Sequence, residues 1–227
     1  VLDAFRRGYS LIFDQIDRHL PALVDALYAW ESELGLQVRA NAFLTPRASA
    51  GFHRHYDTHD VIVVQVHGRK TWDVCNSPLP LPHEEQQPQS SRGARDAELI
   101  ARIEMAPGDL LYLPRGFVHA ASADDTDSLH ISVSIRNLAL RDVCHVAMRE
   151  LFEAYPLWRK GVIPGRACPK SLQALLWSLP DDVDLSAALG QIRALFISNR
   201  RKPENLLRRL QADAEITTDT RLRIKNA

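Results

Sequence analysis

Cysteine, net charge and uninterrupted apolar sequence are all scarce in this 227-residue chain. The three cysteines, Cys75, Cys144 and Cys168, lie far apart. An odd count without close spacing is neither a disulfide framework nor a cysteine-rich zinc site, and it fits a reducing cytoplasm. The 28 basic side chains are balanced by 28 acidic ones, which argues against a dedicated nucleic-acid binder with a domain-wide basic footprint. No apolar run approaches the ~20 residues that span a bilayer, so a membrane-spanning helix is not expected. A signal-peptide pattern is missing too, because Val1 opens straight into a polar, charged segment. The lack of an initiator Met points to a processed or trimmed chain. The 45% of apolar residues fits a globular protein, either one large domain or one domain with a helical appendage.

The neutral total conceals a split. Residues 1–135 carry 12 basic and 18 acidic side chains, a net of −6, whereas residues 136–227 carry 16 and 10, a net of +6. The texture changes near the same place. Tyr9-Ser-Leu-Ile-Phe13 reads as a short strand. Leu20, Leu23, Val24, Leu27 and Trp30 follow the helical period, with Pro21 tolerable in a first turn and Gly35 a plausible stop. From Val38 to Ile135 come short apolar runs broken by Pro, Gly and Asp: Val38–Leu44, Val61–Val66, Thr71–Val74, Ile103–Met105, Leu110–Leu113 and Leu129–Ile135. Such punctuation predicts an antiparallel sandwich or barrel. Residues 76–98, with Pro78, Pro80, Pro82 and Pro88 among Gln, Ser and Glu, read as a long mobile loop. Beyond Asn137 the pattern is helical again, at Arg141–Glu153, Ser186–Ser198 and Glu204–Ala214. The expected division is therefore a barrel over residues 1–137 and a helical tail over 138–227.

Chemistry concentrates in two segments. Gly51-Phe-His-Arg-His-Tyr-Asp-Thr-His-Asp60 holds three histidines and two aspartates. On a regular strand His53, His55, Asp57 and His59 would share a face, and twist would let only adjacent pairs converge on one ion. Pro107-Gly-Asp-Leu-Leu-Tyr-Leu-Pro-Arg-Gly-Phe-Val-His119 brackets an apolar run between two turns and ends in a fourth histidine. Two neutral imidazoles and one carboxylate on one face of an octahedral ion suit non-haem Fe(II), because three coordination positions stay open. His55, Asp57 and His119 are the obvious set. A lone histidine is more often a surface or core residue than a ligand, and it is the two clusters together that favour metal binding. His130, inside a core-like run, reads as a structural histidine.

Several segments, in this order and spacing, resemble the JmjC-type ribosomal oxygenases, Fe(II)- and 2-oxoglutarate-dependent protein hydroxylases of the cupin superfamily. They are Asn41-Ala-Phe-Leu-Thr-Pro46, His55-Tyr-Asp57, Val61–Gln65 with Gly68-Arg-Lys-Thr-Trp72, and Pro107–Gly116 with His119. The resemblance implies a mainly β fold, a double-stranded β-helix (jelly-roll or cupin-like) barrel with an N-terminal helix and a C-terminal helical region that serves dimerisation. It implies Fe(II), 2-oxoglutarate and O₂ as cofactor and cosubstrates, with a protein or peptide side chain, first of all ribosomal, as the group hydroxylated. It places Lys70 against the far carboxylate of 2-oxoglutarate, as the physics of a buried dicarboxylate also demands, with its neighbour Arg69 facing away. Asn41 matches a polar position near metal and cosubstrate, and Ser134 a hydroxyl that helps hold the cosubstrate. Phe43 departs from the tyrosine usual in the family, and Thr45 is the candidate to replace the missing hydroxyl.

Two other classes of function compete. Gly108, Pro114, Gly116 and His119 also match the second motif of general cupins. Such a protein would bind metal with His53, His55, a carboxylate near Asp60, and His119, and would run isomerase or dioxygenase chemistry without 2-oxoglutarate. The first cupin motif fits less well, and Lys70 then has no task. A non-catalytic cupin-like module that binds a peptide or sugar is the third reading.

Overall fold

The computed structural model describes residues 2–86, 92–154, 156, 185–198 and 222–225. They fall into two compact units: residues 1–137 with 201–227, and residues 138–200.

The first unit is an antiparallel two-sheet jelly roll. Its elements are helix α1 (Leu2–Arg6), strand β1 (Ser10–Phe13), helix α2 (Pro21–Leu34) and strands β2 (Gln37–Thr45), β3 (Asp60–His67) and β4 (Lys70–Cys75). A short helix α3 (Arg92–Arg95) leads to β5 (Leu99–Met105), β6 (Leu110–Leu113), β7 (His119–Ala123) and β8 (Ser128–Arg136). A last strand, β9 (Leu222–Lys225), pairs with β1. The large sheet runs β6-β3-β8-β2-β1-β9 and the small one β5-β4-β7.

Alternation builds the space between the sheets. In β3, Val61, Val63 and Gln65 are buried while Ile62 and Val64 are half-exposed, the period-2 signature of a strand with one face on the core. Across the gap, Lys70 and Trp72 of β4 are buried whereas Arg69 is exposed. Val61, Val63, Trp72, Met105 and Leu113 form the inter-sheet core, each large side chain contributing about 1.5–3 kcal/mol of burial. The back of the large sheet is closed by α2, whose Leu27 joins Ile16, Val38, Ala40, Ala42 and Val133 in a second core. Pro21 opens α2, and Gly35 ends it in the left-handed conformation (φ 67°), where a side chain would be strained. Buried Glu31 ties the helix to the sheet by accepting from Val38 N at 2.9 Å and pairing with Arg39 at 3.2 Å.

The stretch expected to be a mobile loop is largely pinned where it is described. Pro82 is fully buried, and Ala94 and Ala97 pack on Cys75 and Val118. Asn76 and Glu98 clamp its ends through Asn76 N to Glu98 O at 2.9 Å and Glu98 N to Asn76 Oδ1 at 3.0 Å. Its apolar alanines and one proline seal a small core, which outweighs the turn-rich composition around them.

In the second unit, α4 (Leu140–Ala154) and α5 (Leu185–Ser198) pack through Val143, Ala147, Ala188 and Ile192. The helix expected at Glu204–Ala214 lies outside the described residues. Among the described residues no helix is long and apolar enough to cross a membrane.

Candidate metal and cosubstrate site

A cavity of about 710 Å³ opens between the two sheets. The segment before β3 forms one of its walls. It runs antiparallel to β7, with bridges between Ala50 and Ser122 and between His55 and His119. His55 and His119 exchange both backbone hydrogen bonds, His55 N to His119 O at 3.1 Å and His119 N to His55 O at 2.8 Å. Residues 64 positions apart in sequence are thereby held side by side, with ring centroids 4.4 Å apart. The turn before His119 is fixed to the same segment by Gly116 N donating to Asp57 O at 2.9 Å.

One ligand atom each from His55, Asp57 and His119 lie within 4.8 Å of one another, and His119 Nε2 stands 3.7 Å from Asp57 Oδ2. The ring tautomers follow from the second nitrogens. His55 Nδ1 lies 2.8 Å from His53 O and His119 Nδ1 3.0 Å from Phe117 O. A carbonyl can only accept, so each Nδ1 carries the proton and each Nε2 keeps a lone pair for a metal. Burial first, then the neighbouring His55 imidazole, lowers the His119 pKa from 6.5 to about 4. The ring is neutral at pH 7, the form that ligates. His53 and His59 line the cavity but stand outside this cluster. Asp60 is committed elsewhere, accepting from Tyr112 Oη at 2.9 Å and from Arg115 N at 2.8 Å. The general-cupin set through His53 and Asp60 is thus not assembled, whereas His55, Asp57 and His119 are together.

Lys70, 1% exposed, borders the same cavity. Its Nζ donates to Thr45 Oγ1 at 2.8 Å and lies 3.2 Å from His130 Nδ1. Burial lowers the ammonium from 10.5 to about 7, because no carboxylate pays its desolvation. Thr45 also receives Ser10 Oγ at 3.1 Å. Gly51 keeps the space beside the amine open, since a Cβ there would lie 3.6 Å from Nζ. Trp72 Nε1, buried and without an acceptor, belongs to the cavity wall as well.

Asn41 and Ser134 also reach the cavity wall. Asn41 Oδ1 accepts from Gln15 N at 2.7 Å, which leaves its amide donors for a ligand. Ser134 Oγ donates to Arg39 O at 3.3 Å and keeps its lone pairs. Phe43 stacks on His130 at 4.9 Å with the rings nearly parallel. His130, read from the sequence as a structural histidine, is buried and hydrogen-bonded, and it also lines the cavity. The signal was in the alternation of β8, which puts His130 on the same face as Ser132 and Ser134, opposite Phe43 and Asn41 of β2.

The donor set fits a divalent iron: two imidazole nitrogens, one carboxylate, and room beyond them. The buried ammonium, whose partners among the described residues are Thr45 and His130, has an open space beside it and fits an anionic group of a ligand. A jelly roll with such a cluster between its sheets is the architecture of the metal-dependent cupins. The family model of the JmjC domain matches residues 22–143, and the chain belongs to that family. It is 43% identical over 134 residues to a bifunctional lysine-specific demethylase and histidyl-hydroxylase NO66 of Drosophila persimilis, a match covering 57% of this chain and 19% of that protein. It is 36% identical over 139 residues to ribosomal oxygenase 1 of Gallus gallus, covering 59% and 23%. The chain spans about a fifth of the length of these curated relatives. Among solved structures, YcfD, a ribosomal oxygenase from Escherichia coli in complex with cobalt and 2-oxoglutarate, superposes with a TM-score of 0.54. The identity is 19%, over 88% of this chain and 62% of that one, a likeness of fold.

Proposed function

We propose that this chain is an Fe(II)- and 2-oxoglutarate-dependent oxygenase that hydroxylates a side chain of a protein or peptide, with a ribosomal protein the first candidate. One observation carries the reading. A cluster of two histidines and an aspartate shares a cavity with a buried lysine that, among the described residues, has no anionic partner. The names of the relatives, ribosomal oxygenase and histidyl-hydroxylase, point the same way.

In this reading His55, Asp57 and His119 hold the iron, and Lys70 anchors the far carboxylate of 2-oxoglutarate. Bound together, iron, 2-oxoglutarate and O₂ supply the oxidising power for C–H hydroxylation, with succinate and CO₂ as by-products. The protein's own part is orientation. The carbonyls of His53 and Phe117 lock both imidazoles with Nε2 inward. Thr45 acts through Lys70, whose ammonium its hydroxyl holds, and Asn41 and Ser134 offer polar contacts at the cavity wall. Paired with a carboxylate, Lys70 regains its proton, so above pH 7 ligand binding takes up about one proton.

The division into a catalytic barrel over 1–137 and a dimerising helical region over 138–227 belongs to the same proposal, with β9 (Leu222–Lys225) counted in the barrel sheet, as does a cytoplasmic location. The helical unit leaves Leu140 85% and Leu189 40% exposed, apolar surface of the kind a second copy would cover.

The test is anaerobic titration of 2-oxoglutarate into the Fe(II)-loaded protein, followed by succinate formation in air with ascorbate. Saturable binding that disappears in Asp57→Ala and weakens in Lys70→Ala is expected. Absence of saturable binding to the wild-type metal form ends the reading, and the non-catalytic module would then gain from an Asp57→Ala variant that keeps full function.

A further inference from the structure

The inference concerns His130 and rests on the reading of the cavity as a 2-oxoglutarate site. An ammonium has three N–H donors on a flexible stem and by itself aims poorly. At Lys70 two of the three are spoken for among the described residues. Thr45 Oγ1 takes one at 2.8 Å and His130 Nδ1 stands 3.2 Å away to take another. His130 can accept only as a neutral ring. Burial first, then the charges of Lys70 and His119, hold its pKa well below the ordinary value. The ring is also fixed in place. Phe43 stacks on one face at 4.9 Å and 2°, and Trp72 meets it edge-on at 5.3 Å and 79°. Phe43 and His130 are direct cross-strand partners on β2 and β8, so the stack is built into the register. Gly51 leaves the remaining side of Nζ open.

We propose that His130 is a positioning residue for the cosubstrate. By accepting from Lys70 it leaves, with Thr45, a single N–H of the ammonium, aimed into the cavity at the distal carboxylate of a bound 2-oxo dicarboxylate. Among the described residues the polar partner of His130 is Lys70 and not His55, Asp57 or His119, so in this proposal its effect passes through Lys70. It therefore governs the choice between ligands that carry a distal carboxylate and ligands that lack one.

The experiment is anaerobic calorimetric titration of the metal-loaded, full-length protein with 2-oxoglutarate and with 2-oxobutyrate, which keeps the 2-oxo acid but has no distal carboxylate. The quantity read is the ratio of the two dissociation constants. In His130→Phe, which keeps the aromatic stack and removes the acceptor, the ratio is expected to fall by about tenfold to a hundredfold, the worth of a hydrogen bond to a charged group, with 2-oxobutyrate binding little changed. His130→Asn, which returns an acceptor near the Nδ1 position, is expected to keep the ratio within about threefold of wild type. An unchanged ratio in His130→Phe, or an equal collapse in His130→Asn, overturns the proposal. Should His130→Phe not fold, the wild-type protein decides. Its ¹⁵N-histidine NMR spectrum must show the His130 proton on Nε2, and a proton on Nδ1 overturns the proposal. A wild-type protein that binds neither ligand would instead sink the cosubstrate reading itself. Loss of the preference in Lys70→Ala alone would leave that reading standing and remove only the role of His130.

Discussion

Lys70 shows at the scale of one residue how burial writes a functional demand into the fold. Its ammonium is lowered from 10.5 to about 7 by desolvation, so the folded protein holds this proton more weakly than the unfolded chain does. Below pH 7 the cost of burying the charge is fully present, and it fades as pH rises from 7 towards 10.5. Lys70→Met is therefore expected to be more stable than wild type near pH 7, by a few kcal/mol, with the advantage shrinking towards pH 10. Urea melts of the ligand-free proteins at several pH values check this, and a constant difference would contradict it. Asp57 makes a different demand, because it contributes the only carboxylate of the three-residue cluster. Asp57→Ala is expected to weaken divalent-metal binding by about a hundredfold or more while leaving the melting temperature of the metal-free protein close to wild type. Equilibrium dialysis against Mn(II) reads the first effect and thermal melting the second.

The elements explain why such residues meet. Lys70 opens β4 and Thr45 closes β2, on the strand face shared with the cavity-lining Asn41 and Phe43 and opposite the one that buries Val38, Ala40 and Ala42 against α2. Much of this was legible in the sequence. The alternation of β3, the Pro-Gly turns around β6 and the helical period of α2 each appear where the residues predicted them, because each depends on neighbours a few positions away. The packing of residues 76–98 was not legible, since Pro82, Ala94 and Ala97 are buried by partners distant in sequence. β9 was missed as well, for its pairing with β1 spans more than 200 residues. Gly116 carries the clearest element-scale prediction. It adopts φ 89°, and a Cβ would meet Leu79 O at 2.6 Å and Ser77 Oγ at 2.7 Å. Gly116→Ala is expected to cost about 1–3 kcal/mol. It should also lower metal affinity, because the same turn binds Asp57 O and leads into His119. A chemical melt paired with a metal titration measures both.

For the whole molecule, metal and 2-oxoglutarate held as proposed would bind only the folded chain and so would stabilise it. At a ligand concentration of a hundred times Kd the gain is about 2.7 kcal/mol, visible as a raised Tm that EDTA reverses. Sedimentation equilibrium tests the proposed dimer: a mass twice the 25.6 kDa of the chain is expected, and a Leu140→Lys variant should shift it towards the monomer.

By itself the sequence determined the strand-rich class, the turn positions and the three residue types able to hold a metal, because those depend on local periodicity and on ligand chemistry. It also marked the change from a −6 to a +6 region near residue 136. Only the tertiary structure decided which histidines converge. The His55-x-Asp57 spacing with His119 already marked a set along the chain, and the backbone bridge from His55 to His119 is what brings it together while His53 and His59 stay outside. The tertiary structure also supplied the partner of the structural histidine His130, which is Lys70. A hydrogen bond between residues 60 positions apart exists only once two sheets have closed around it, and no local pattern can encode that geometry.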